Sequence, residues 1–112
     1  MHKDIAAYNR AQETQWKSIC TALAKQIDSG LPKAESKIWH RTAVWFLEGN
    51  PLVGYSVRKK GVQLLFWSGQ SFDEPDFSPE GSFKAAEKYY ADKKEIVAKD
   101  LKRWLEKSAK IQ

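Results

Sequence analysis

Large aromatic rings are the side chains in this sequence best suited to hold a ligand, and three of the five tryptophans lie between positions 38 and 68. Rings displayed on a sheet can line a pocket for a flat apolar ligand, because they offer a large surface of defined geometry. The same rings can instead form the core of a small domain. We expect a mixture, with Trp39 and Trp67 partly exposed and the others buried. The candidate ligand-binding residues are Trp39, His40, Trp45, Tyr55, Trp67 and Phe72.

His40 and Cys20 are the next candidates for chemistry. An imidazole can act as an acid, a base or a metal ligand near neutral pH, but no second His or Cys recurs at metal-binding spacing. Cys20 falls on the apolar stripe of a predicted helix, which favours a buried, unreactive thiol. A Cys–His pair would also need a third residue to orient the base, and the sequence suggests none. The sequence therefore predicts no catalytic residue and no cofactor, and the interpretation leans against an enzyme.

One acidic cluster offers oxygen ligands to a hard cation. Its spacing departs from the calcium-loop pattern, because Pro75 and Phe77 fall where ligands should stand. The cluster consists of Asp73, Glu74, Asp76 and Glu80. A solvated loop is the favoured interpretation, and no metal ligand is predicted.

Basic residues outnumber acidic ones and give a net charge of +5, a balance that can attract nucleic acid or anionic lipid. Acidic residues are interspersed with them, however, and mixed signs are typical of a solvated surface. The basic face of the last helix could contact phosphates, although acids on the same helix dilute its field. That face contains Lys99, Lys102, Arg103, Lys107 and Lys110. Weak nucleic-acid binding is accordingly the third hypothesis for this chain.

Two amphipathic helices are predicted near the ends of the chain. Apolar residues recur at helical spacing from Trp16 to Ile27, and Ser29-Gly30 followed by Pro32 indicates where that helix ends. Residues 1–12 are predicted to be a loose N-terminal extension. The last helix presents an apolar face formed by Val97, Leu101, Trp104, Leu105 and Ser108.

Between the helices, β-branched and aromatic residues form short runs that predict antiparallel strands. The predicted strands are 37–41, 43–47, 52–58 and 62–67. Turns are predicted at positions 48–51 and 59–61, with Gly61 in the left-handed conformation of a three-residue loop. In the last of these strands, Val62, Leu64 and Phe66 are expected to point to the same side.

A loop at positions 68–82 follows, and its Phe72 and Phe77 predict that it folds back onto the domain. Positions 83–91 leave helix and strand both open, because Tyr89 and Tyr90 favour a strand whereas the alanines before them favour a helix. The elements indicate a single α+β domain over residues 1–112, with an antiparallel sheet of about five strands and both helices on one face. Such a sheet leaves its second face partly open to water, and a function is expected there.

Five segments stand in a distinctive order: Leu31-Pro32-Lys33-Ala34-Glu35, Lys37-Ile38-Trp39-His40, Trp45-Phe46-Leu47, Gly49-Asn50-Pro51-Leu52-Val53-Gly54-Tyr55 and Leu65-Phe66-Trp67-Ser68-Gly69-Gln70-Ser71-Phe72. Jointly they resemble the YdhG-like family of small bacterial proteins, over roughly residue 14 to the C-terminus. The resemblance implies a two-layer sandwich with frataxin-like topology and a last strand near Tyr89. One branch of that family is described as a frataxin-like iron chaperone, so the resemblance implies iron as a cargo.

The leading hypothesis is a non-catalytic cytoplasmic module that binds a small ligand or a protein partner on an aromatic-lined sheet face. The alternative is the frataxin-like iron chaperone. No membrane partner is expected, because no apolar run approaches the roughly 20 residues that a bilayer crossing needs. The single cysteine suits a reducing cytoplasm. A monomer or a weak homodimer is expected, since an exposed sheet edge can pair with a second copy.

Overall fold

The computed structural model describes residues 1–81 and 84–111, within which three α-helices and six β-strands form. The helices are α1 (Lys3–Arg10), α2 (Thr14–Gly30) and α3 (Ala98–Ile111). The strands are β1 (Glu35–Trp39), β2 (Thr42–Leu47), β3 (Asn50–Arg58), β4 (Gly61–Phe66), β5 (Ser78–Pro79) and β6 (Ala86–Tyr90). The predicted α+β class is confirmed. None of the helices in these two stretches combines the length and the apolar character that crossing a bilayer requires.

The strands form one open antiparallel sheet in the order β1-β2-β3-β4-β6-β5. Successive hairpins join the first four, as the short apolar runs predict. β6 then pairs with the free edge of β4, with Leu64 opposite Lys88. The described part of the chain has six strands rather than about five, because Ser78–Pro79 in the predicted loop adds a short strand along β6.

Positions 86–90 are a strand, which decides between the two alternatives that the sequence leaves open. Without β6, the edge of β4 would present a row of backbone N–H and C=O groups without partners, and buried groups of this kind must be paired. The adjacent tyrosines also favour β structure. Ser82 and Phe83, which end the predicted loop and begin the ambiguous segment, lie outside the described residues.

Two-residue turns join β1 to β2 and β2 to β3, and the type I′ form of such turns requires a positive φ at both central residues. Glu48 and Gly49 have φ of 51° and 82°. His40 and Arg41 have φ of 51° and 64°, although neither is a glycine. The β1–β2 turn thus holds two ordinary L residues in a conformation that costs each of them free energy.

The prediction for Gly61 is wrong. It is the first residue of β4, with a φ of 141° instead of the left-handed value of a three-residue loop. A Cβ atom on Gly61 would lie 2.5 Å from the carbonyl oxygen of Tyr90. The close approach of β6 therefore explains this glycine.

All the apolar faces of the helices pack against one face of the sheet. Alternation places Val62, Leu64 and Phe66 on that face with no exposed surface, as predicted. The helical side of this core contains Ile19, Cys20, Leu23, Ala24, Ile27, Leu101, Trp104, Leu105 and Ser108. The prediction fails at Val97, which precedes α3 and is 50% exposed.

Residues 1–12 are not a loose extension, because α1 packs into the core. Ile5 has no exposed surface. The Tyr55 hydroxyl donates a hydrogen bond to Oδ1 of Asn9 at 2.6 Å, and the backbone N–H of Val57 donates to the Tyr8 hydroxyl at 3.0 Å. These contacts hold α1 against β3. The sequence interpretation missed them because so short a helix shows little periodicity.

The loop after β4 folds back onto the domain, as its phenylalanines predict. Phe72 is 3% exposed and lies 5.2 Å from Phe66 between ring centroids. Phe77 reaches the C-terminal helix, where its ring centroid is 4.7 Å from that of Trp104. The loop therefore closes one end of the core.

Candidate functional site

The six predicted ligand-binding residues do not converge on one pocket. Trp45 and Tyr55 are 1% and 0% exposed, and Phe72 is also buried, so all three belong to the helix-side core. The indole N–H of Trp45 donates to Oδ1 of Asp28 on α2 at 2.8 Å. Strand alternation explains the burial of Trp45 and Tyr55, because neighbouring residues of a strand face opposite sides of the sheet, and Phe72 is buried because its loop folds back onto Phe66. These three residues stabilise the fold and cannot line a site on its open face.

Trp39 and Trp67 lie on the opposite face, where no helix packs. Phe46 joins them, and the ring centroids of Trp39 lie 5.5 Å from Phe46 and 6.3 Å from Trp67. We call Trp39, Phe46 and Trp67 the outer aromatic patch. Trp39 is 36% exposed, and the other two rings are partly exposed. The expected mixture of buried and exposed rings is thus found.

The two indoles of the outer aromatic patch reach across the middle of the sheet. Trp39 is on β1 and Trp67 directly follows β4, so their backbones are three strand spacings, or about 14 Å, apart. Rings with centroids only 6.3 Å apart must therefore extend over β2 and β3. Val44, which faces them from β2, has no exposed surface although it is not part of the helix-side core.

Gly54 is the residue of β3 beneath this arrangement, opposite Val44 on one side and Leu65 on the other. A Cβ atom there would lie 2.7 Å from the carbonyl oxygen of Ala43 and 3.2 Å from Val44 Cγ2. The glycine is therefore required by the close approach of β2. It also keeps the centre of the outer face low between the flanking side chains.

Positive charge adjoins the rings. The Lys37 ammonium lies 4.9 Å from the ring centroid of Phe46, a distance at which a cation is attracted to the aromatic face. His40 is exposed in the β1–β2 turn, with its ring centroid 4.5 Å from that of Trp39. Of the predicted site residues, Trp39, His40 and Trp67 are therefore brought together by the fold.

The acidic cluster does not form a metal site. Arg103 forms two hydrogen bonds of 2.9 Å with Glu74, and the Lys107 ammonium is 2.6 Å from the same carboxylate. The Arg103 guanidinium and then the Lys107 ammonium hold the pKa of Glu74 well below its ordinary value. Lys107 also donates to the carbonyl oxygen of Phe72 at 2.7 Å. This carboxylate therefore fixes the loop to α3.

Within residues 1–81 and 84–111, no three His, Cys, Asp or Glu side chains are grouped so that they could hold a metal ion. Cys20 is fully buried, and burial raises the pKa of its thiol to about 12. The thiolate needed for nucleophilic attack is therefore scarce at neutral pH. The prediction that this cysteine is buried is confirmed.

The sequence interpretation missed two features of the protein surface. Phe46 was treated only as part of an apolar strand, although its alternation with Trp45 places it on the other side. The second is Arg58-Lys59-Lys60, a run of three basic residues that was wrongly read as no more than interspersed charge. Both signals are present in the sequence and can be recognised once the strand register is known.

Comparisons of the chain with models of protein families, with curated proteins and with solved structures find no match. The class of protein is accordingly defined by the fold and the surface: an α+β domain whose sheet has one face covered by helices and one face bearing a partly exposed aromatic patch.

Proposed function

We propose that this protein is a non-catalytic binding module that holds the flat ring of a small ligand on the outer aromatic patch. The single observation that carries the proposal is the pair of partly exposed indoles, Trp39 and Trp67, on the face without helices. Large rings are usually buried in a small domain because burial of their apolar surface stabilises the fold. Leaving two of them accessible to solvent is explained if a ligand covers them.

The geometry of the patch suits stacking rather than enclosure. The planes of Trp39 and Phe46 are inclined by 74° and those of Trp39 and Trp67 by 40°, so the rings offer faces at different angles. A flat ligand can stack on one face and contact the edge of another. Lys37 beside Phe46 adds attraction for a ligand that carries negative charge.

Protection of tryptophan fluorescence from acrylamide tests the proposal. The buried indoles of Trp45 and Trp104 contribute little to quenching, because they are 1% and 2% exposed. A panel of flat probes (adenosine, cytidine, nicotinamide, riboflavin and indole) should include at least one that protects the accessible fraction. We expect Trp39→Leu and Trp67→Leu each to weaken its binding about tenfold, the equivalent of about 1.4 kcal/mol of stacking energy.

Trp16→Leu is the matched control, since Trp16 is partly exposed but lies on α2, on the other side of the sheet. It should change the fluorescence intensity without changing the affinity. If no flat probe protects the indoles, or if Trp16→Leu weakens binding as much as Trp67→Leu does, the proposal is wrong.

Neither of the other two functions is supported by a specific contact. An iron chaperone would need a group of free carboxylates, whereas Glu74 of the acidic cluster is bound by two cations and no three acidic, His or Cys side chains among the described residues are grouped to hold a metal. The basic face of α3 is weakened as a nucleic-acid surface because Arg103 pairs with Asp100 as well as with Glu74. Anaerobic calorimetry with ferrous ion tests the iron-chaperone function, and binding at micromolar concentration would support it.

We also propose that the YdhG-like resemblance reflects kinship and that the layout is frataxin-like. The support is general: helices on one face of an antiparallel sheet, and a last long strand at Ala86–Tyr90 as the resemblance implies. A cytoplasmic location belongs to the same proposal. Its support is one free, buried cysteine among the described residues.

A further inference from the structure

Two hairpin turns bring positive charge together at one end of the sheet. In an antiparallel meander, alternate turns lie at the same end, so the β1–β2 and β3–β4 turns are neighbours. The first turn is His40-Arg41, and the second is Lys59-Lys60 directly after Arg58. Four permanent cations therefore lie at one end of the sheet: Arg41, Arg58, Lys59 and Lys60.

A depression of about 200 Å³ lies at this end of the sheet, between the β1–β2 turn and the last residues of β3. Its lining is His40, Arg41, Thr42, Ser56, Val57 and Arg58. Every polar side chain in that lining can donate a hydrogen bond, and none is a carboxylate. The Arg58 side chain is positioned by its own contact, since its Nε donates to the Ser56 hydroxyl at 3.1 Å.

In the part of the chain that the structure describes, no ion pair includes a cation at this end of the sheet. Among the described residues, the ion pairs involve Asp28, Glu74 and Asp100, and none includes Arg41 or Arg58. Asp92 and Glu95 lie at the same end of the sheet, after β6. Their carboxylates accept backbone N–H groups of Lys94 and Ala91 at 2.9 Å and 2.7 Å.

The backbone of the first turn adds an independent observation. His40 and Arg41 occupy positive φ positions where asparagine and glycine are preferred. Both residues carry a Cβ atom, which makes this conformation unfavourable. The β2–β3 turn, by contrast, uses Gly49 for its second position. An imidazole and a guanidinium at strained positions beside a depression are expected if the side chains have a use there.

We propose that the depression beside the β1–β2 turn binds the phosphate group of a ligand whose flat ring stacks on the outer aromatic patch, a compound of the nucleoside monophosphate class. His40 joins the two parts, because it lines the depression and its ring lies 4.5 Å from that of Trp39. Guanidinium groups recognise phosphate oxygens through paired, charge-assisted hydrogen bonds. The inference deepens the proposed function and rests on it for the ring, but not for the anion.

The first experiment isolates the anion. ¹⁵N-labelled protein is titrated with inorganic phosphate, and sodium chloride of equal ionic strength is the reference. We expect saturable shifts at the backbone amides of His40, Arg41 and Arg58 and at the indole N–H of Trp39. Shifts that are identical in chloride, or that spread evenly over the basic residues of the chain, would overturn the phosphate site.

The second experiment joins the two parts by calorimetry with adenosine and with adenosine monophosphate. We expect the phosphate to tighten binding about tenfold or more, and the double variant Arg41→Gln, Arg58→Gln to remove that gain while still binding adenosine. Lys33→Gln with Lys110→Gln is the matched control, because both lysines are exposed on other elements and the change in net charge is equal.

The outcomes separate the two proposals. Equal affinity for both compounds would overturn the phosphate inference and leave the ring-binding function standing. Binding of phosphate at His40 and Arg41, together with no flat probe on the outer aromatic patch, would remove the ring-binding function and the ligand class, leaving an anion site alone. If the lysine control variant weakens the binding of adenosine monophosphate as much as the arginine variant does, the effect is due to net charge alone and the inference is wrong.

Discussion

Replacing Arg41 with glycine should make the protein more stable and weaken its hold on phosphate. Arg41 is the second central residue of the β1–β2 turn and has a φ of 64°. Glycine adopts this conformation without the clash that a Cβ atom causes. The same substitution removes one of the two guanidinium groups that line the depression. Stability and binding should therefore change in opposite directions.

The magnitude follows from two opposing terms. Relief of the left-handed conformation is worth about 1–2 kcal/mol, and the greater freedom of glycine in the unfolded chain returns about 0.4–1 kcal/mol. The free energy of unfolding should rise by about 0.5–1 kcal/mol, which for a chain of 112 residues raises the melting temperature by about 2–5 °C. Phosphate affinity should fall about tenfold, the loss of one charge-assisted contact.

Calorimetric melting and phosphate titration measure the two effects on the same sample. Glu48→Gly is the matched control, because Glu48 has a φ of 51° in the β2–β3 turn at the other end of the sheet. It should stabilise the protein by a similar amount and leave phosphate binding unchanged. A lower melting temperature for Arg41→Gly would refute the strain argument, and unchanged phosphate affinity would refute the assignment of the arginine.

Three further predictions follow from the contacts of the core and the loop. Ile5→Ala should lower the free energy of unfolding by about 2–4 kcal/mol in chemical denaturation. Val97→Ala is the control and should change it by less than about 0.5 kcal/mol. Equal effects of the two substitutions would mean that α1 is not part of the core. Cys20 should react with a thiol reagent only as fast as the protein unfolds, because its thiol is buried and its pKa is raised to about 12, and immediate labelling of the native protein would contradict that burial. Glu74→Gln should destabilise the protein at pH 7 more than Glu106→Gln does. Because Glu74 has a depressed pKa in the folded state, its contribution is fully present above the unfolded carboxyl pKa of about 4.3 and is lost as the pH falls toward the lower folded value. If Glu74→Gln lowered the free energy of unfolding at about pH 2 as much as it does at pH 7, the ion pairs of Glu74 with Arg103 and Lys107 would not be the cause.

Much of the fold can be predicted from local pattern because neighbouring residues impose it. The four hairpin strands follow from alternation, and the second helix ends near Gly30 and Leu31, where Ser29-Gly30 and Pro32 predicted its end. Residues whose role depends on a distant segment are predicted less well. Gly61 is explained by the Tyr90 carbonyl oxygen on another strand. α1 owes its place to Asn9 and Tyr55, which are 46 positions apart.

The candidate site also depends partly on local pattern and partly on contacts between distant segments. The sequence indicates that a partly exposed aromatic face should exist, and of its candidate residues Trp39, His40 and Trp67 lie close together in the fold. It also included Trp45 and Tyr55, because both are aromatic residues of the predicted sheet, and Phe72, an aromatic residue of the loop that follows it. Only the register assigns each ring to a face, and an error of one position moves a side chain to the other side of the sheet.

Residue order by itself determined the class of fold, the helical stripes and the hairpin strands, because these depend on periodicity and on turn chemistry within a few positions. Tertiary structure alone decided which rings share a face and which cations meet at its edge. Trp39 and Trp67 are far apart in the chain, and so are Arg41 and Arg58. Their proximity is a consequence of strand order and register, which are set by the packing of the whole sheet against its helices.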